Sequence, residues 1–257
     1  MIGSTIAIIK LALFLIYTPP LMLAQWVIVT SGLGKKTGVP QLYNKILSRL
    51  LGIRIEIEGE RPSHGLILAN HVSWKDIIAL NAALPLSLIA KREVGAWPLF
   101  GSLARLQGTI FINRESKRSI IASLHDIKKR LSHGDTMVLF PEGTTHTGKS
   151  ILPFKSSFVA AAERTGTQVT PVTLIYKGQH GLPLTLRQRP YIGWYGEGTL
   201  APHLWTFLRR GPVTLKIIFH EPLFPKDFAN RKTLSRKAHT IIAKALAENL
   251  HAAPKIR

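Results

Sequence analysis

The chain has no cysteine in its 257 residues, which excludes a disulfide scaffold, a thiolate zinc site, an iron–sulfur cluster and a cysteine nucleophile. Acidic residues are scarce: Asp+Glu 14 against Lys+Arg 34 gives a formal net charge of +20. That imbalance points to an anionic partner, whether membrane phospholipid, nucleic acid or an acidic carrier. Aromatic residues are not interleaved with the basic runs as a base-stacking platform requires, and no zinc-finger or ribonucleoprotein motif occurs, so nucleic acid is not the expected partner. The histidines lack metal-ligand spacing, and no metal site is expected. At 46% hydrophobic residues the chain folds around a substantial core despite its charge.

Charge is missing altogether from Leu11 to Gly34, LALFLIYTPPLMLAQWVIVTSGLG, a run longer than the roughly 18–20 residues that span a bilayer core. A cleaved signal peptide fits poorly, because Lys10 lies inside the apolar region and no small-x-small site precedes a polar start. Pro19-Pro20 falls near the middle of the run, which predicts either a span or two short half-helices re-entering one leaflet. Lys35, Lys36, Lys45, Arg49 and Arg54 follow directly, placing the remainder on the cytoplasmic side of a membrane, expected to be of the bacterial inner type. The expected organisation is a membrane-spanning or re-entrant segment over 1–36 and an α/β domain over 37–257.

Beyond Lys36, periodicity predicts helices over 41–51, 74–84, 97–105, 116–131, 155–164 and 231–250. Strands are predicted over 54–58, 66–69, 87–90, 109–112, 136–140, 168–176 and 213–219, with an irregular insert over 177–203. Alternating strands and helices imply an α/β fold, a mixed sheet covered by helices on both faces.

Two segments carry chemistry. In NHVSWKD (Asn70 to Asp76) a histidine follows a strand and a carboxylate comes five residues later, offering a base and its orienter where α/β folds keep their sites. The same spacing, Ser73-x-x-Asp76, also reads as a capping box serving only a helix start. In FPEGTTHTGKS (Phe140 to Ser150), Gly143, Gly148, Lys149 and Ser150 formally match a phosphate loop. Pro153, falling where that motif's helix should run, and the lack of a later strand ending in Asp oppose a nucleotide-binding reading. A basic, non-catalytic membrane binder is the third alternative.

Taken in order, NHVSWKD, GTIFINR (Gly108 to Arg114), FPEGTT (Phe140 to Thr145) and VTPV (Val169 to Val172) resemble the four motifs of the glycerolipid acyltransferases, the superfamily of 1-acyl-sn-glycerol-3-phosphate and lysophospholipid acyltransferases. The likeness spans about 54–176 and includes AKREVGAWPLFG from Ala90. It implies acyl transfer from acyl-CoA or acyl carrier protein to the hydroxyl of a lyso-lipid, with no further cofactor. His71 would act as general base and Asp76 would orient it. Arg114 would bind the acceptor's phosphate, and Glu142 would position substrate or brace its loop. The turn Glu142-Gly143-Thr144 is expected to offer backbone amides to the oxyanion. Relatives acting on lysophosphatidic acid often have Arg where this chain has Thr145, which opens the acceptor to other lyso-lipids, including lyso-ornithine lipid. Lys91, Lys149 or Lys155 could supply the missing charge.

Overall fold

The computed structural model describes residues 2–32, 36–113, 116–185, 187–196 and 199–251. Helix α1 (Ile2–Ser31) and α2 (Gly38–Leu51) lead into β1 (Ile53–Glu58), β2 (Gly65–Ala69), α3 (Trp74–Ala83) and β3 (Ser87–Lys91). Then come α4 (Arg92–Gly95), α5 (Phe100–Leu106), β4 (Ile110–Ile112), α6 (Lys117–Ser132), β5 (Thr136–Leu139) and α7 (Ala160–Thr165). The chain continues through β6 (Val169–Gln179), β7 (Leu182–Pro183), α8 (Arg189–Ile192), α9 (Leu200–Arg210), β8 (Val213–Phe219) and α10 (Arg231–His251).

The sheet has the order β1-β8-β6-β2-β5-β3-β4, with β7 added to β6. Along that path every pairing is parallel except β6 with β8. Strands β2 and β5 are buried on both faces, as the continuous apolar runs GLILA and TMVL require. Alternate residues nevertheless serve different layers. Ile67, Ala69, Val138 and Phe140 join the core shared with α2, α3 and α9, whereas Leu66, Leu68, Met137 and Leu139 pack with α6, α7 and α10.

Helix α1 is continuous, and the half-helix expectation is corrected. Pro19 and Pro20 remove only their own N–H donors, which would face the carbonyls of Leu15 and Ile16. All four residues lie on the exposed side of the helix. At 30 residues it is about 45 Å long, long and apolar enough to cross a membrane. A stripe of Ala7, Phe14, Thr18, Leu21 and Gln25 rests on the domain. The Gln25 amide donates to the carbonyls of Lys36 (2.7 Å) and Leu106 (2.8 Å), and Thr18 Oγ1 meets the Tyr43 hydroxyl at 3.2 Å. The opposite face, with Ile2, Ile9, Ile16, Leu23 and Trp26, is exposed.

Two further expectations change. The helix predicted over 155–164 begins only at Ala160; residues 151–156 are irregular and tied to the preceding loop by bonds that include Lys155 N–H to the Pro141 carbonyl at 2.9 Å. The end of the supposed irregular insert opens α9, which turns Phe207 and Leu208 into the core.

Candidate active site

His71 emerges at the carboxyl end of β2, two residues past Ala69, and keeps the parity of the Ile67–Ala69 face. Phe140, just past β5, lies on that same face, so its ring stacks on the His71 imidazole with centroids 3.9 Å apart. Asn70 points sideways and closes two bonds with the β6 backbone: its amide donates to the Leu174 carbonyl (3.0 Å), and its own oxygen accepts the Leu174 N–H (2.7 Å). The strand end carrying His71 is thereby fixed to its neighbour.

Asp76 sits in the first turn of α3, and its fully buried carboxylate joins both roles offered by the spacing. Oδ2 accepts the N–H groups of Val72 (2.6 Å) and Ser73 (2.8 Å), which stabilises the helix start, and faces His71 Nδ1 at 2.9 Å. Oδ1 accepts the Tyr176 hydroxyl at 2.6 Å. As a carboxylate, Asp76 accepts the imidazole hydrogen, which places it on Nδ1. Nε2 is then the basic nitrogen, and His71 lines the main cavity. Burial and the Asp76 charge push the Tyr176 phenol well above its ordinary range, so it remains a donor. Removing it in Tyr176→Phe is expected to lower catalytic efficiency about tenfold and stability by roughly 1–2 kcal/mol; kinetics and denaturation of the purified variant check both.

The second segment holds this turn from behind. Glu142 is buried; Oε1 accepts the His71 backbone N–H at 2.8 Å, and Oε2 accepts the Leu152 N–H at 2.7 Å. His146 Nε2 lies 2.8 Å from the same Oε2, while its Nδ1 accepts the Gly148 N–H at 3.1 Å. Glu142 is therefore occupied as a brace between two loops. Gly143 adopts φ 74°, a conformation that favours glycine, and its N–H donates to the Phe140 carbonyl at 3.1 Å. That amide is spent inside the turn, whereas the exposed Thr144 and the neighbouring Thr145 line the cavity.

The phosphate-loop reading is contradicted. No helix follows Gly148: residues 148–156 are irregular, and the Gly148 N–H that would cradle phosphate points at His146. A Cβ at Gly148 would lie 3.1 Å from a Val72 methyl, so close packing accounts for glycine there.

The cavity has a volume of about 720 Å³ and reaches from Lys10 to Gln25 along α1, roughly 22 Å. Its walls are chiefly apolar side chains of α1, α2, α3 and α5, including Phe14, Leu47, Ile78 and Leu103. The exposed Lys91, at the end of β3, and Glu93 of α4 line it, but Lys149 and Lys155 do not. Arg114 lies outside the described residues.

The 190s segment covers one side of the site. The Trp194 N–H donates to the Val72 carbonyl at 3.0 Å, and the Trp74 indole donates to His203 Nδ1 at 3.0 Å. Lys75, fully buried, donates to the Ile192 carbonyl at 2.7 Å. Sequence reading gave no role to Tyr176, His146 or Lys75. For His146 a signal existed, since it stands four residues after Glu142; Tyr176 meets Asp76, and Lys75 meets Ile192, only across about a hundred residues.

A family model described as Acyltransferase matches residues 53–175. A lyso-ornithine lipid O-acyltransferase of Rhizobium meliloti is 37% identical over 245 residues, covering 92% of this chain and 82% of the relative. A 1-acyl-sn-glycerol-3-phosphate acyltransferase of Neisseria meningitidis is 31% identical over 222 residues, 82% and 85% of the two chains. The crystal structure of a 1-acyl-sn-glycerophosphate acyltransferase from Thermotoga maritima superimposes with a TM-score of 0.65 at 22% identity, covering 94% of this chain and 100% of that one, and supports the fold.

Proposed function

The chain belongs to the glycerolipid acyltransferase family, and from that premise we propose that it transfers a fatty acyl group from a thioester to the hydroxyl of a lyso-lipid, with His71 as general base. The observation that carries this reading is the His71–Asp76 contact, which leaves Nε2 as the basic nitrogen beside an apolar cavity. The acceptor hydroxyl gives its proton to Nε2 as its oxygen attacks the thioester carbonyl. Asp76 stabilises the imidazolium so formed. The oxyanion meets the Thr144 N–H, since Gly143 is engaged and Glu142 does not line the cavity. Collapse breaks the carbon–sulfur bond, and the leaving thiolate recovers the proton from His71. One ester and one thiol result, without an acyl-enzyme. Positioned base catalysis of this kind supplies typically about 10²–10⁴-fold.

The cavity suits acyl chains, and Lys91 and Glu93 suit a head group bearing both signs of charge. Together with Thr145 and the greater likeness to the Rhizobium relative, this favours lyso-ornithine lipid over lysophosphatidic acid as acceptor. The donor is acyl-CoA or acyl carrier protein, each anionic and suited to a basic surface. The exposed face of α1 would lie in lipid, with the basic residues after it at the cytoplasmic leaflet.

Purified protein offered both acceptors with either donor tests the reading, and turnover of lyso-ornithine lipid in excess is expected. In Thr145→Arg the preference should move toward the phosphate monoester by about tenfold or more, since a guanidinium added to the cavity wall can bind phosphate in a forked geometry. An unchanged acceptor ratio in that variant would remove Thr145 from the account of selectivity.

A further inference from the structure

Among the described residues, the largest side chain with no solvent exposure at all belongs to a lysine. Lys75 has no solvent exposure and lies between His71's partner Asp76 and the bulky Trp74. Its ammonium donates to Ser73 Oγ at 2.8 Å and to the Ile192 carbonyl at 2.7 Å. The ring of Phe207 is 4.6 Å away, that of Trp74 4.8 Å and that of Tyr176 5.9 Å. No carboxylate touches it within ion-pair distance among the described residues, because the Asp76 oxygens are taken up by His71, Val72, Ser73 and Tyr176. A buried ammonium held by two neutral oxygens and three rings is costly, and hydrophobic residues of similar volume could fill the space. The proposed chemistry makes no use of it.

We propose that Lys75 is a positioning residue for the transfer reaction: its bonds to Ser73 and Ile192 hold the 190s segment against the turn that carries His71. This rests on the reading of His71 as base. The titratable groups around Lys75 are Asp76 on α3, Tyr176 on β6 and His203 on α9. Tyr176 stays protonated, as above, and burial, reinforced by the charge of Lys75, brings His203 down to about 4, leaving it neutral. Asp76 is then the one opposite charge in the group. Burial brings the Lys75 amine itself down to about 7 against a smaller opposing pull from Asp76. With or without its charge the amine keeps N–H donors for both Ser73 and Ile192.

The bond to Ile192 reaches the cavity wall. Ile192 is followed by Gly193 and Trp194, and Trp194 both donates to the Val72 carbonyl and lines the cavity with His71. One side chain thus ties the base's turn and the cavity wall together.

The test compares wild type with Lys75→Met, which removes charge and bond, and Lys75→Gln, which removes charge and keeps a donor for Ile192. Phe207→Leu serves as a packing control that leaves the ammonium in place. Lys75→Met is expected to raise KM for the acceptor about tenfold, more than it lowers kcat, and Lys75→Gln to recover most of that loss. Phe207→Leu should lower stability without raising KM. Hydrogen exchange at the Trp194 amide should be faster in Lys75→Met than in Lys75→Gln, a readout independent of turnover. An unchanged KM and exchange rate in Lys75→Met, or an equal KM rise in Phe207→Leu, would overturn the proposal while leaving His71 as base. Full activity of His71→Ala would instead overturn the reading on which it rests. If Lys75→Met does not fold, Lys75→Leu, likewise without a donor, decides by the same two readouts.

Discussion

Alanine at His71 is expected to lower the acyl-transfer rate by about 10²–10⁴-fold while the protein stays folded and lipid-bound. The rate falls because, among the described residues, His71 is the one imidazole that both lines the cavity and meets a carboxylate through Nδ1. The fold survives because what is removed is a partly exposed ring stacked on Phe140; the backbone N–H that Glu142 holds remains. Vesicle binding should be unaffected, since the exposed apolar face of α1 is untouched. Kinetics at saturating acceptor, with melting curves on the same samples, check the two halves. A variant retaining a third of wild-type activity would show that something other than His71 takes the proton.

The largest loss of stability is expected at Glu142. Its replacement by alanine leaves the buried N–H groups of His71 and Leu152 without acceptors and removes the anionic neighbour of His146. Breaking a buried charged group out of its network costs about 3–5 kcal/mol, and activity should fall with it because the His71 turn loses its support. Glu142→Gln retains one carbonyl oxygen and should cost about half as much. Denaturant unfolding of the three proteins gives the order. The alternative role, contact with the acceptor hydroxyl, predicts something different: normal stability in Glu142→Gln with a raised KM for acceptor.

What could be read from sequence divides along physical lines. The strands GLILA and TMVL stood out because both faces are buried, so their runs are apolar without interruption, and β1 and β8 begin and end within a residue of the alternating segments that predicted them. The His71-x4-Asp76 spacing was informative because the geometry is local: a turn followed by the first turn of a helix brings the two side chains together whatever the rest of the chain does. The two readings of Asp76, orienter and helix cap, were not rivals, since one oxygen serves both. Where the sequence misled, tertiary contacts overrode local preference. The helix predicted from 155 starts only at Ala160, since the Pro141 carbonyl claims the Lys155 N–H. The paired prolines of α1 suggested a break, yet they fall on the face that nothing packs against. In α9, Pro202 and the flanking glycines mask Leu200, Leu204, Phe207 and Leu208, which recur at helical spacing. Lys75 could not have been placed from sequence, because a lysine on a helix reads as a solvated residue unless the aromatic faces that bury it are known.

The most direct test of the central claim, attack by a His71-activated hydroxyl on the bound thioester, is a single-turnover measurement with acyl-labelled thioester on the detergent-purified protein, with and without lyso-lipid. The account predicts that thiol release and labelled ester appear together, only when acceptor is present, and that no label remains covalently on the protein. Release of thiol in a burst without acceptor, with label retained on the chain, would contradict it by showing an acyl-enzyme that nothing in the site's geometry calls for.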